Sequence, residues 1–166
     1  QKPQPQLPAA LTTATTHTTM NSFYDALENT PPEQREADLM TALPAQIANA
    51  RTNSAAFAEI LADIDPASIN SRAALATLPV TRKYQLQERQ QAQRADNAFG
   101  GFATMGFGAA MPRVFCSPGP IYEPEGIRGD YWRMARALYA AGFRAGDLAH
   151  NSFSYHFVPA GSMMEN

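Results

Sequence analysis

The chain of 166 residues has a single cysteine, Cys116, and a single tryptophan, Trp132. One thiol closes no internal disulfide, so the fold does not depend on an oxidising compartment. A thiol next to Phe115 is expected to be buried and inert, which argues against a cysteine nucleophile. Long apolar runs are missing as well. The uncharged stretch Asn97 to Pro112 carries four glycines and ends in proline, too short and too broken for a membrane span. No apolar segment of the signal-peptide kind follows Lys2. Charge of one sign is scarce: 13 Lys and Arg stand against 15 Asp and Glu, for a net charge of -2. The basic residues are scattered, which leaves no electrostatic footprint for nucleic acid or an anionic membrane.

Groups that hold metals or attack substrates are equally thin. His150 and His156 fall on the same side of an extended segment, but about 20 Å apart at strand rise, so they do not share one ion. No Cys, His or carboxylate set has structural zinc spacing, and no G-x-S-x-G elbow occurs. No metal site and no catalytic residue is expected from this chain alone.

What is present divides at Met20. Residues 1–19, "QKPQPQLPAALTTATTHTT", are rich in Pro, Gln and Thr and bury too little apolar surface to offset their ordering entropy. They are expected to form a disordered tail, with Met20 as the start of the folded part. Residues 20–166 have globular composition and the length of one ordinary domain. "NTPPEQREADLM" predicts a helix start, with Thr30 as cap, Pro31 in the first turn and Glu33 completing a capping box. Leu39, Leu43, Ile47 and Ala50 then recur at helical spacing, and Pro44 predicts a kink or break. A second helix is expected over 54–62, with Phe57, Ile60 and Leu61 on its apolar face. Two short helices follow, capped by Ser71 and Thr81 and joined by Leu78-Pro79-Val80.

From Phe99 to Phe115 the helical period is lost, and turns plus a short strand over 113–116 are expected. "DYWRMARALYAAG" predicts a helix with an apolar stripe of Trp132, Ala135, Leu138 and Tyr139, stopped by Gly142. After a turn at Gly146-Asp147, residues 148–157 alternate as a strand does, with Phe153, Tyr155 and Phe157 on one face. Those aromatics read as a core-facing row, which can also be the wall of a pocket.

In order and spacing, "FYDALENTPPEQREA", "LPVTRK", "YWRMARALYAAGFRAGD" and "HNSFSYHFVPAG" resemble phenylacetate–CoA ligases, members of the AMP-forming adenylating superfamily. The resemblance covers nearly everything after Met20 and implies an α/β fold: the N-terminal portion of the large domain, a helix-rich start followed by short strands. The implied reaction has two steps. A carboxylate attacks the α-phosphate of ATP, releasing pyrophosphate, and coenzyme A then displaces AMP to form the thioester. Charge develops on phosphate oxygens, so the complete enzyme uses ATP, Mg²⁺ and coenzyme A, with an aromatic or other carboxylic acid as substrate. Family members are much longer, so the chain is expected to be an incomplete, cytoplasmic part that is inactive by itself and binds none of these cofactors alone. The alternative is a non-catalytic homologue serving as a binding or interaction module.

Two segments carry the implied site. "SPGPIYEPEG", residues 117–126, stands where the family has its phosphate loop. A phosphate cradle needs consecutive N–H donors, glycines and hydroxyls. Pro118, Pro120 and Pro124 have no N–H, and Glu123 and Glu125 repel a triphosphate. Ser117, Gly119 and Gly126 remain as donors at this degenerate position, with Arg128 in reach of an anion. A rigid surface turn is the plainer reading. The second segment matches the family's aryl-acid pocket, and the resemblance assigns substrate binding to Phe153, Tyr155, His156 and Phe157. Ser154 and His156 replace small glycines there, and His156 narrows or polarises such a pocket. An apolar face left uncovered would promote self-association.

Overall fold

The computed structural model describes residues 23–165. The expected tail over 1–19 and the start at Met20 lie outside the described residues.

The first helix, α1, spans Pro32–Asn53. Its cap position is Pro31 and makes no side-chain cap bond. Thr30, the expected cap, lies one residue further out, where its carbonyl accepts from Arg35 Nη2 at 3.0 Å. Pro44 does not break the helix, which continues through it. Proline removes one backbone bond, but Leu43, Ile47 and Ala50 on either side of it pack into the core. That shared packing face outweighs the missing bond.

Ser54 ends α1 and caps α2, Ala55–Ile60. Its hydroxyl oxygen accepts from the Phe57 amide at 3.3 Å and donates to the Gly101 carbonyl at 2.7 Å. The core lies where α1 and α2 meet: Ile47, Leu61 and Ile69 are buried, with Leu43, Phe57, Ile60 and Leu78 packed around them. Leu39, expected on this stripe, is exposed instead. The short α3, Arg72–Leu75, starts at Ser71, whose hydroxyl accepts from the Ala74 amide at 3.2 Å. In α4, Lys83–Ala92, the cap position is Arg82 rather than Thr81. There the Gln85 side chain reaches back to accept from the Arg82 amide at 2.8 Å.

After α4 the chain turns at Gly100, whose φ of +59° suits glycine and whose added Cβ would meet the Gln90 amide nitrogen at 2.9 Å. Arg89 fixes this corner, donating to the Gly100 carbonyl at 2.8 Å while pairing both outer nitrogens with Glu59. Two antiparallel strands follow, β1 over Arg113–Ser117 and β2 over Ile121–Glu125. The expected strand over 113–116 is therefore present, and it is half of a hairpin.

The helix expected over 130–142 is shorter. Asp130 and Arg133 have φ of +50° and +59°, a turn rather than a helix, and α5 covers only Ala135–Ala140. The strand expected over 148–157 is absent. Its side chains bond to nearby backbone instead: Asn151 Oδ1 accepts from the Phe153 amide at 3.1 Å, and Ser154 Oγ from the His156 amide at 3.3 Å. Such local turns compete directly with a ladder. The final helix, α6, spans Ala160–Glu165.

Candidate functional site

The 117–126 segment is mostly strand. Residue pairs run Arg113 with Glu125, Phe115 with Glu123 and Ser117 with Ile121, which centres the turn on Pro118, Gly119 and Pro120. Pro120 lies just before β2, and Pro124 lies on a strand with only one sheet neighbour, places where a missing N–H is tolerated. Two glutamines of α4 grip β2 and the turn. Gln90 is 3% exposed and mimics a strand: its Nε2 donates to the Tyr122 carbonyl at 3.0 Å and its Oε1 accepts from the Tyr122 amide at 2.8 Å. Gln87 Nε2 donates to the Gly119 carbonyl.

Glu125 anchors the far end of the hairpin. It is 1% exposed, and its Oε1 accepts from Arg113 Nη1 at 2.6 Å. Its Oε2 accepts from Trp132 Nε1 at 2.6 Å and from Ser162 Oγ at 2.5 Å. Burial alone pushes this carboxyl up, but the bonds from Ser162, Trp132 and Arg113 together outweigh it and hold Glu125 below its ordinary value. The hairpin, the 126–132 turn and α6 thus meet on one ionised carboxylate.

The residues singled out in the sequence fall as follows. Ser117 Oγ faces the Ile121 carbonyl at 3.5 Å within the hairpin. Gly119 is at the exposed turn tip. Gly126 is buried, and an added Cβ would meet Tyr131 Cε2 at 2.9 Å, so close packing explains the glycine. Glu125 does not face outward as a repelling charge; its partner is Arg113. Cys116 is half-buried rather than buried, and its amide donates to the Phe157 carbonyl at 2.6 Å. A triphosphate cradle does not fit here: the Cys116 and Tyr122 amides are occupied, and three other positions are proline.

The aromatic segment is not a core row. Phe153, Tyr155 and Phe157 are 54%, 49% and 76% exposed. Phe153 lines a small cleft of about 160 Å³ with Leu138, Phe143, His150 and Met164, whereas Tyr155, His156 and Phe157 do not line it. Tyr155 OH accepts from Asn151 Nδ2 at 2.7 Å, and His156 Nδ1 lies 3.0 Å from Ser154 Oγ. Partial burial and then the Glu165 carboxylate push the Tyr155 phenol up, against the Asn151 bond. Among the described residues no group of three or more His, Cys, Asp or Glu could hold a metal ion, and no helix is long and apolar enough to cross a membrane.

Sequence reasoning missed the two residues that hold the hairpin, Gln90 and Glu125. For Glu125 a signal existed: Arg113 and Glu125 are opposite charges equally spaced about Gly119, as a cross-strand pair must be. Gln90 gave none, since nothing in a polar helix marks the side chain that will imitate backbone.

No family model and no curated protein matches the chain. A solved structure does. The crystal structure of 2-hydroxyisobutyryl-CoA ligase, in the postadenylation state in complex with 2-HIB-AMP, matches 80% of this chain with a TM-score of 0.70 at 19% identity. The fold is that of the N-terminal portion of an adenylate-forming ligase. This chain spans 29% of that ligase's length.

Proposed function

We propose that the chain is part of an AMP-forming carboxylate–CoA ligase, phenylacetate–CoA ligase-like in its motifs, which activates an acid as its adenylate before thioester formation. The observation that carries this reading is the fold match over 80% of the chain to a CoA ligase whose structure holds an acyl-adenylate. The motif order "LPVTRK", "RAGD" and "HNSFSYHF" supports the finer, phenylacetate-like assignment. In this reading ATP, Mg²⁺ and coenzyme A are used by the complete protein, and the 117–126 hairpin is a rigid strut, because its amides and carboxylate are committed internally. The Phe153-to-Phe157 segment forms part of the acid-binding wall once further chain covers it. In this reading the complete protein is cytoplasmic, and its fold needs no oxidising compartment, since Cys116 is a free thiol.

The occupied hairpin favours a second reading, a non-catalytic binding module that has kept the fold and lost the phosphate loop. Carboxylate-dependent ATP–pyrophosphate exchange separates the two. The complete protein that carries this sequence is assayed with aryl acids and with short 2-hydroxy acids, beside the 166-residue chain. Exchange by the complete protein with aryl acids, and none by the chain, is the expected result. Exchange with 2-hydroxy acids alone would overturn the phenylacetate-like assignment. No exchange with any acid would favour the module.

A further inference from the structure

Arg128, Arg133 and Arg136 line one open cleft of about 470 Å³, walled on the other side by Tyr24 and Leu27. Two carboxylates also face it, and both are engaged. Asp25 pairs with Arg136 at 2.5 Å and accepts from the Leu27 amide at 2.9 Å. Asp130 accepts from the Ala135 amide at 3.0 Å. Arg128 and Arg133 are exposed and have no ion-pair partner among the described residues. A protein with a net charge of -2 therefore gathers three guanidinium groups in one cleft.

The backbone at Arg133 adds a second observation. The turn closes by a bond from the Arg133 amide to the Asp130 carbonyl at 2.9 Å, with φ of +59° at Arg133. Glycine meets that conformation without a steric penalty and arginine does not. No packing or ion pair accounts for a long cationic side chain there. Backbone strain of this kind concentrates where a side chain is held for a ligand.

We propose that this cleft binds a phosphate group, with Arg128 and Arg133 as its donors and the Asp25-braced Arg136 as a fixed third charge. A carboxylate is satisfied by one bidentate guanidinium, whereas several guanidinium groups match the oxygens of a phosphate. Arg128 and Arg133 also border a neighbouring groove lined by Tyr131 and Trp132, which can seat a planar group attached to that phosphate. The groove borders the end of the 117–126 segment at Gly126, but the site uses none of that segment's amides and does not rest on the ligase reading.

The test is calorimetric titration of the chain with inorganic pyrophosphate and with ADP at constant ionic strength. Saturable binding is expected. Arg133→Gly should weaken it at least tenfold while raising the melting temperature, because glycine relieves the turn; a loss of affinity cannot then be assigned to unfolding. Arg128→Ala should weaken it similarly, and the remote Lys83→Ala should not. Tighter binding of ADP supports a nucleotide phosphate, and equal or tighter binding of pyrophosphate supports a free one. No saturable binding, unchanged affinity in the Arg128→Ala/Arg133→Gly double variant, or an equal loss in Lys83→Ala would overturn the proposal.

Discussion

Replacing Glu125 with alanine tests whether one buried carboxylate ties the hairpin to the rest of the fold. The change removes the carboxylate to which Trp132 Nε1 and Ser162 Oγ donate at 2.6 and 2.5 Å. Losing a hydrogen bond to a charged group costs about 1.5–3 kcal/mol. Arg113 is 54% exposed and recovers most of its loss from water, so the ion pair itself adds at most about 1 kcal/mol. The expected total is about 3 kcal/mol, or roughly a 10 °C fall in melting temperature for a chain of this size. Glu125→Gln keeps one acceptor and should cost about half as much. The pH dependence has a definite sign. Glu125 is held below its ordinary value when folded, so it stabilises the protein above the unfolded-state carboxylate pKa. That contribution disappears as pH falls through the lowered folded value. Trp132 is the only tryptophan, so its fluorescence during denaturant titration reports on the site directly. A loss below about 1 kcal/mol in Glu125→Ala, or the same acid dependence in Glu125→Gln and the parent, would refute the reasoning.

Other perturbations follow from the same contacts. Gln90→Ala should cost about 2 kcal/mol and expose the Tyr122 amide to hydrogen exchange; unchanged protection at Tyr122 would mean that β2 is held by something else. Gly126→Ala should cost about 1–3 kcal/mol, because its Cβ would lie 2.9 Å from the Tyr131 ring, and near-ultraviolet dichroism should show that ring displaced. Leu148→Lys with Phe157→Ser should change stability by less than about 0.5 kcal/mol, since both side chains are exposed. The same pair should reduce self-association of the chain in sedimentation, and oligomers of undiminished size would show that this apolar patch is not the contact.

Much of the helical half was legible because each signal is local. Ser54 and Ser71 cap the helices that follow them, and Ile47, Phe57, Ile60 and Leu61 share one packing face at helical spacing. Boundaries failed where a neighbour was a better fit than the expected residue, as Gln85 made Arg82 the cap of α4 in place of Thr81. The largest error was the strand over 148–157. Alternation there is real in the sequence, but Asn151 and Ser154 satisfy backbone groups within two residues of themselves. Period alone does not reveal that competition. Helix α5 was shortened for a similar reason, by the Asp130 side chain accepting from the Ala135 amide across the turn.

The hairpin shows why composition at a familiar position can mislead about role. As a free loop, "SPGPIYEPEG" is hostile to phosphate: three prolines without donors and two acids. As a two-stranded edge the same residues are consistent, since Pro120 precedes β2 and Pro124 needs no further partner. Glu125 becomes the acceptor for three donors rather than a repelling charge. On the outer side of β1 the Cys116 amide donates to the Phe157 carbonyl. That bond brings the aromatic segment against the hairpin, so the two segments that sequence reasoning treated separately form one surface. A ligand or segment seated on Phe153, Tyr155 and Phe157 would therefore also approach Cys116 and Ser117, and a hairpin pinned by Gln90 and Glu125 gives that surface a fixed edge.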